Sequence, residues 1–213
     1  MLEYPKKAIL IFQQSLEIRE KVLGKEHPDT AASYNAIGVS LSYLGRHEEA
    51  LEYYEKSIGI RKKVLGKEHP DTAESYWAIG VSLGRYEEAL EYHQKSIEIR
   101  EKVLGKEHPD MAESYNAIGV SLWHLGRHEE ALGNCQKAFQ VLCKAYKRKH
   151  PSLELYLQNL IGCLNEQLNQ KHREKIIQEV LLLCIEKFGE EDTFTQLFRR
   201  ACAKDSLNTK DKY

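Results

Sequence analysis

The stretch LGKEHPDTAASYNAIGVSLSYLGRHEEAL, residues 23–51, decides the fold because most of it returns along the chain. Its opening hexapeptide LGKEHP occurs three times, ending at Pro28, Pro70 and Pro109, and a degenerate copy, YKRKHP, ends at Pro151. The successive spacings between these prolines are 42, 39 and 42 residues. Self-similarity at a period of about 20 to 50 residues is typical of architectures that stack one structural unit on the next. The sequence therefore predicts a repeat protein.

Each unit is predicted to consist of two helices. Pro28 suits the first turn of a helix, where its missing N–H is not needed. An apolar stripe at helical spacing follows, formed by Tyr34, Ile37, Leu41 and Leu44. Gly45 is expected to end this helix, and a second stripe is formed by Ala50, Tyr54, Ile58 and Leu65. Gly38 carries no side chain and allows a neighbouring helix to approach closely. One pair cannot bury both stripes, so several pairs must stack.

The residues inside each unit resemble the tetratricopeptide repeat. The first unit has Tyr34-x-x-Ile37-Gly38-x-x-Leu41 followed by Ala50-x-x-x-Tyr54. The later units supply Tyr76, Ile79, Gly80 and Ala89, and then Tyr115, Ile118, Gly119, Leu122 and Ala131. The unit has 42 residues rather than the usual 34, and in this it is similar to the repeats of kinesin light chains and nephrocystin-3-like proteins. The resemblance implies an all-α fold, a right-handed superhelical solenoid of antiparallel helix pairs.

We expect one solenoid over residues 1–204, followed by a polar tail at 205–213. Its predicted parts are a half unit at 1–30, full units at 31–72, 73–111 and 112–153, and a degenerate unit with a capping helix at 154–204. The second unit has lost three residues, because VSLSYLGR and VSLWHLGR correspond to VSLGR at 81–85. Its first helix should therefore be short. In the degenerate unit we expect helices over about Lys175 to Phe188 and over Thr193 to Ala203.

Composition and charge limit the functions that the chain can have. The 31 lysines and arginines nearly balance 32 acidic residues, which gives a net charge of −1. Binding to nucleic-acid phosphates or to an anionic membrane surface relies on a positive excess, so neither partner is expected. No run of about 18 apolar residues that could span a membrane is present, and the five cysteines form no CxxC pair. We expect reduced, mostly buried thiols and a cytoplasmic or cytoskeleton-associated location.

The family resemblance places the first helices on the concave face of the solenoid, where partners bind. Residues off the apolar stripes are then the candidates for partner binding: Asn35, Val39, Ser42, Glu74, Trp77, Val81, Glu113, Asn116, Val120, Trp123 and His124. Asparagine can donate to and accept from a peptide backbone, and tryptophan is enriched at binding hot spots. We expect an extended peptide or helix of a partner protein, with Trp77 and Trp123 as apolar anchors. The alternative is that both tryptophans only cover neighbouring helices.

The predicted surface lacks basic residues. Tetratricopeptide proteins that clasp a C-terminal carboxylate use Lys and Arg on their first helices, whereas no candidate here is a Lys or an Arg. A neutral or mildly basic ligand therefore fits this surface better than an acidic one.

No catalytic, cofactor-binding or metal site is predicted, and we do not expect an enzyme. One histidine precedes the proline of each unit: His27, His69, His108 and His150. Packed helices lie about 8–10 Å apart, too far for these histidines to share a metal at about 2.0–2.1 Å, so we interpret them as connector residues. Cys135 and His128 are the one nucleophile-and-base combination that we considered, and no third residue orients them.

Two roles fit this interpretation. One is a non-catalytic protein–protein interaction scaffold that acts as a cargo adaptor, as kinesin light chains do. The other is a regulatory segment of a larger signalling or ciliary protein, as in nephrocystin-3-like proteins. A heptad region upstream favours the first role, and a nucleotide-binding domain favours the second. The half unit at 1–30 leaves apolar surface bare, which allows self-association through the repeat ends.

Overall fold

The computed structural model describes residues 3–83, 85–146, 150–166 and 168–208, and the side chains of 4–83, 85–146, 150–166 and 168–203. The helices in these ranges are α1 (Glu3–Val22), α2 (Pro28–Tyr43), α3 (His47–Val64), α4 (Pro70–Ser82), α5 (Tyr86–Leu104), α6 (Pro109–His124), α7 (His128–Ala145), α8 (Pro151–Leu164), α9 (Gln170–Phe188) and α10 (Thr193–Asn208). No strand occurs in the described ranges, so the predicted all-α class is confirmed.

The chain divides into two compact units, Met1–Gly105 and Lys106–Tyr213. Unit 1 contains α1 to α5, in which each helix from α1 to α4 packs on the one that follows it. Unit 2 contains α6 to α10; α7 packs on both α6 and α8, and α10 packs on α8 and α9. Consecutive packed pairs are thus the building principle of each unit, as the repeat pattern predicted. The single solenoid over residues 1–204 stays a prediction.

The histidines before the repeat prolines cap the first helices. In each case the imidazole Nδ1 accepts a hydrogen bond from the backbone N–H two residues later, and these donors are Asp29 (3.1 Å), Asp71 (3.2 Å), Asp110 (3.2 Å) and Ser152 (3.2 Å). The first four N–H groups of a helix have no partner inside it, so each cap satisfies one of them. A good N-cap contributes about 0.5–2 kcal/mol. The connector histidines therefore have a structural role that the sequence interpretation did not specify.

Glycines sit where two helices approach most closely. A Cβ added to Gly38 would lie 2.8 Å from the Tyr54 ring, and one on Gly80 would lie 2.5 Å from the His93 ring. At Gly119 the nearest atom would be Cys135 Sγ, at 2.7 Å. Real Cβ atoms do not approach that closely without displacing a neighbour. The predicted close approach at Gly38 is confirmed, and the partner is a side chain of the following helix.

The first helix of the predicted second unit is short, as its sequence indicates. Helix α4 has 13 residues, against 16 in α2 and 16 in α6. This confirms the short helix predicted from the three-residue loss in VSLGR, of which Gly84 lies outside the described residues.

The fourth unit differs from the prediction at two boundaries. Helix α9 begins at Gln170 rather than near Lys175, because Asn169 Oδ1 accepts from the N–H of His172 at 3.2 Å and caps an earlier turn. The last helix continues past the predicted Ala203 to Asn208 and so takes up the start of the predicted polar tail, while 209–213 lie outside the described residues. Phe198 of α10 is fully buried, as expected for a capping helix.

Arginines join each second helix to the first helix that follows it in unit 1, and of these Arg61 is buried and Arg19 is half-buried. Arg61 Nη1 donates to the Asp71 carbonyl at 2.6 Å and to Ser75 Oγ at 2.8 Å. Arg19 repeats the arrangement one unit earlier, with Asp29 and Ser33 as its acceptors. These hydrogen bonds link α1 to α2 and α3 to α4. At Arg61 they satisfy only part of a buried guanidinium, because its Nε has no hydrogen-bond partner among the described residues.

Candidate partner-binding surface

In unit 1 the predicted binding residues lie along α2 and α4, which pack against each other. They are Asn35, Val39 and Ser42 of α2, and Glu74, Trp77 and Val81 of α4. Val81 is 57% exposed, and Val39 and Ser42 are partly exposed. Asn35 is buried instead, and its Oδ1 has no hydrogen-bond partner among the described residues. Most of its side chain is therefore out of a ligand's reach, which corrects the prediction for this residue.

Two of the unit 1 candidates already have partners inside the unit. Arg61 Nη1 lies 3.2 Å from Glu74 Oε2, which partly neutralises that carboxylate. The guanidinium of Arg100 lies 5.9 Å from the centre of the Trp77 ring, which is within range of a cation–π contact. Trp77 is half-buried, so only part of its side chain is open to a partner. Its contact with Arg100 of α5 agrees with the alternative interpretation, in which the tryptophan covers a neighbouring helix.

In unit 2 the predicted residues lie on one side of α6: Glu113, Asn116, Val120, Trp123 and His124. Asn116 Oδ1 accepts a hydrogen bond from Asn159 Nδ2 of α8 at 2.8 Å. The Trp123 ring is 37% exposed and packs edge-on against His124, with a centroid distance of 5.0 Å. Trp123 is thus the more available of the two predicted anchors.

A cavity of about 270 Å³ opens beside Trp123. Its walls come from α6, α7 and α8: Gly119, Val120, Trp123, His124, Cys135, Gln158, Asn159, Gly162 and Cys163. Three of these, Val120, Trp123 and His124, are residues that sequence spacing predicted. The α8 wall was missed because its unit was treated as degenerate. Counting the 42-residue period on from Asn116 and Val120 arrives at Gln158 and Gly162, so the signal was present.

Two thiols form the floor of this cavity. Cys135 Sγ and Cys163 Sγ lie 3.7 Å apart, and both residues are buried. The hydrogen bond from Cys135 holds the pKa of the Cys163 thiol below its ordinary value. The same hydrogen bond, together with burial, raises the pKa of Cys135. The first of the two thiol protons therefore leaves this pair more easily than the second.

The structure gives Cys135 and His128 different partners. His128 Nε2 lies 3.9 Å from Glu166 Oε2, and its ring contacts Trp123 at a centroid distance of 6.4 Å. Cys135 instead pairs with Cys163. The nucleophile-and-base combination that we considered from the sequence is not assembled.

The described residues offer neither a metal-binding cluster nor a membrane-spanning helix. They contain no group of three or more His, Cys, Asp or Glu side chains placed to hold a metal ion. Within the same ranges, no helix combines the length and the apolar character needed to cross a membrane.

The packed helix pairs, the capped first helices and the small residues at each crossing define a helical-repeat scaffold protein. The family model for the tetratricopeptide repeat matches residues 5–63, 37–83 and 81–144, which together span well over half of the chain. The chain belongs to the tetratricopeptide repeat family, as its pattern predicted. No curated protein matches it.

Solved structures with this fold include kinesin-light-chain-like repeats. The nearly identical TPR-like repeats of a Podosopora anserina protein designated a kinesin light chain give a TM-score of 0.66 at 22% identity, covering 86% of this chain and 89% of that one. BtubC (BKLC) from P. vanneervenii gives 0.71 at 18% identity, covering 90% and 77%. The apo form of RapI gives 0.65 at 18% identity, covering 97% and 80%. At these identities the likeness shows the fold alone.

Proposed function

We propose that the chain is a non-catalytic interaction scaffold whose unit 2 cavity receives one apolar side chain of a partner peptide. The observation that supports this most directly is that Val120, Trp123 and His124, chosen by sequence spacing, line one cavity. Its volume of about 270 Å³ is below the ~300–1,000 Å³ of typical small-molecule sites. A single side chain therefore suits it better than a cofactor does.

The lining indicates what kind of peptide fits. Its interior is mostly apolar, and Gln158 and Asn159 place amide groups where a peptide backbone can hydrogen-bond. Glu154 of α8 lies one turn before Gln158, whose Nε2 donates to Glu154 Oε1 at 3.4 Å. Glu113 of α6 lies about two turns before the wall residue Val120. We therefore propose a partner segment that has a Leu, Met or Phe anchor and neutral or mildly basic residues on either side of it.

Unit 1 offers a second set of exposed and partly exposed side chains that a partner could contact. Val39, Ser42 and Val81 lie on neighbouring helices α2 and α4 and are exposed at least in part. We propose that they contribute general apolar contact, and that the half-buried Trp77 contributes less than the more exposed Trp123.

The finer proposal is a cargo adaptor of the kinesin-light-chain kind. Fold likeness to the Podosopora anserina repeats and to BtubC supports it. If it holds, the purified chain binds both a cargo peptide and a kinesin motor subunit. If the chain binds cargo-type peptides and no motor subunit, the adaptor role is wrong and the peptide-binding role remains.

A pair of matched glycine variants tests the cavity. Selection of displayed random peptides on the purified chain would supply ligands, and fluorescence anisotropy would give their Kd. A Cβ at Gly162 of α8 or at Gly133 of α7 meets no atom within 4 Å, but only Gly162 lines the cavity. Gly162→Leu should fill the cavity and weaken binding at least about tenfold, or 1.4 kcal/mol. Gly133→Leu should change binding little.

The peptides themselves provide the second arm of this test. Selected sequences should share one Leu, Met or Phe, and changing it to Asp should abolish binding. If the selected peptides lack a shared apolar residue, or bind the Gly162→Leu variant normally, the binding site does not lie at the cavity. A selection that yields no peptide at all would also count against the proposal.

Self-association is a second proposal, and the exposed face of α1 favours it. Tyr4, Ile11 and Ile18 are seven residues apart, and Ile11 and Ile18 are each 63% exposed. In α3 the residue at the Ile11 position, Tyr53, covers Tyr34 of the preceding helix with a centroid distance of 6.1 Å. An apolar stripe that is covered in one pair is thus bare in α1.

Light scattering on a gel-filtration column tests this proposal. We expect dimers at micromolar concentrations for the natural chain and monomers for Ile11→Lys with Ile18→Lys. Leu182→Lys of α9, where the leucine is 67% exposed, is the control and should leave the dimer intact. A monomeric natural chain, or an equal effect of both changes, would refute self-association through α1.

A further inference from the structure

The thiol pair at the cavity floor has the geometry of a reactive site. Cys135 of α7 and Cys163 of α8 are each at most 2% exposed as residues, with Sγ atoms 3.7 Å apart. Both also line the cavity beside Trp123. A solute of about the size of water that enters the cavity therefore meets sulfur without any unfolding of the helices.

We propose that Cys135 and Cys163 form an oxidisable dithiol that hydrogen peroxide converts into an intrachain disulfide between α7 and α8. A disulfide has an S–S length of about 2.05 Å, so the two sulfur atoms must close a gap of about 1.6 Å from their separation of 3.7 Å. Rotations of the two side chains can supply a movement of this size. The helices already pack against each other, so no rearrangement of the fold is required.

The chemistry balances with peroxide as the oxidant. The Cys163 thiolate attacks one peroxide oxygen and the O–O bond breaks. The departing hydroxide takes up the proton that Cys163 had released and becomes water. Cys163 is then a sulfenic acid. The Cys135 sulfur attacks the Cys163 sulfur, the S–O bond breaks, and the second hydroxide leaves with the Cys135 proton as water. Two thiols are oxidised by two electrons, and one peroxide is reduced to two waters.

Among the buried thiols of unit 2, this pair is the one placed to react first. Reaction requires a thiolate, and the hydrogen bond from Cys135 stabilises the thiolate of Cys163. Burial instead raises the pKa of Cys143 to about 12 and that of Cys184 to about 12. Neither of those residues lines the cavity. Cys202 is partly exposed and is the competing site that the test must separate.

Disulfide formation would also act on the cavity. It would draw together the α7 and α8 residues that form its floor, so we expect the anchor side chain to fit less well. This consequence rests on the proposed function, whereas the oxidation itself does not.

Mass spectrometry of the folded chain tests the oxidation directly. After brief exposure to a small molar excess of hydrogen peroxide, the intact mass should fall by two hydrogen atoms. Non-reducing peptide mapping should link Cys135 to Cys163, and dithiothreitol should reverse the link. Cys163→Ser should abolish this product, and Cys184→Ser should not. Circular dichroism confirms that each variant is folded, and the mapping of the natural chain does not depend on either variant.

The outcomes separate the oxidation from its effect on binding. A link between other cysteines, oxygen added only at Cys202, or an unchanged mass would overturn the dithiol. Affinity for the selected peptide is then measured on reduced and oxidised chains. A linked chain that binds the peptide as tightly as the reduced chain would overturn the coupling. If no peptide binds the reduced chain, the proposed function fails and the dithiol is judged by the mapping alone.

Discussion

Unit 1 and unit 2 fill the same position of the repeat in different ways. Cys135 stands 81 residues after Tyr54, at the corresponding place on the second helix. Tyr54 is fully buried, and its hydroxyl lies 2.8 Å from Ser82 Oγ on the next first helix. Cys135 reaches the corresponding residue, Cys163, across 3.7 Å and has a cavity beside it. In both units the second helix contacts the next first helix at this position, but the side chains that make the contact differ in volume.

The same replacement of large by small side chains occurs on the neighbouring helix. The positions held by Trp77 and Val81 in α4 are held by Gln158 and Gly162 in α8. The glycines that face the Tyr54 position of the repeat, Gly38 and Gly119, are the same in both units. The cavity of unit 2 therefore arises where smaller side chains stand at corresponding positions of the repeat.

The largest expected effect comes from giving unit 1 the small side chain of unit 2. Tyr54→Cys removes a fully buried ring and its hydrogen bond to Ser82. Deleting large aromatic side chains from a core costs about 3–5 kcal/mol. We expect the free energy of unfolding to fall by about 3 kcal/mol in urea titrations followed by circular dichroism.

Tyr43→Cys is the matched control, because Tyr43 is 75% exposed on the neighbouring helix. It should change the unfolding free energy by less than about 0.5 kcal/mol. A similar loss for both variants would mean that Tyr54 packing does not separate the two units.

The next effect concerns His93, which occupies the Tyr54 position of the intervening repeat. Burial, with a smaller contribution from Arg100, lowers its pKa from 6.5 to about 4. Its Nδ1 has no hydrogen-bond partner among the described residues. The unfolded chain therefore takes up a proton below about pH 6.5 that the folded chain does not bind until about pH 4.

Stability should thus be full above pH 6.5 and should fall as the pH drops towards 4. The loss approaches roughly 3 kcal/mol over this window, from the size of the pKa difference. Urea unfolding at pH 7, 6, 5 and 4.5 measures it, and His93→Gln should flatten the profile by that amount. A variant with the same slope as the natural chain would assign the pH dependence to other groups.

A smaller and opposite pair of effects is expected at two glycines. Gly80→Ala places a Cβ 2.5 Å from the buried His93 ring and should destabilise the chain by about 1–2 kcal/mol. Gly162→Ala meets no atom within 4 Å and should stabilise by about 0.5–1 kcal/mol, because alanine favours helix over glycine. Thermal unfolding of the two variants measures both changes in stability. Changes of the same sign would contradict the difference in packing between the two glycines.

Most of the fold could be predicted from the sequence because the repeat amplifies weak local signals. The spacing of the LGKEHP copies gave the helix pairs, and the lost residues of VSLGR gave the short α4. The capping role of His27 could not be predicted, because it depends on which way Nδ1 turns. The early start of α9 depends in the same way on the side-chain hydrogen bond of Asn169.

The candidate site was predictable only in part. Helical spacing identified Val120 and Trp123, since off-stripe residues of one helix share a face. The burial of Asn35 shows the limit of that method, because spacing does not report how closely the next helix packs. Cys135 and Cys163 are 28 positions apart in the sequence and lie on different helices. Their contact is a property of tertiary packing, which helical spacing does not report.

The sharpest test of the comparison is to rebuild the unit 1 arrangement in unit 2. Cys135→Tyr with Cys163→Ser recreates the Tyr54–Ser82 pair, and Gly119 faces Cys135 without a side chain, as Gly38 faces Tyr54. Because volume is added where a cavity exists, the unfolding free energy should change by less than about 1.5 kcal/mol. Peptide affinity should fall at least about tenfold, and the peroxide-induced link should vanish. A double variant that keeps its fold and still binds the peptide would show that the cavity is not the anchor site, whatever the role of the surrounding helices.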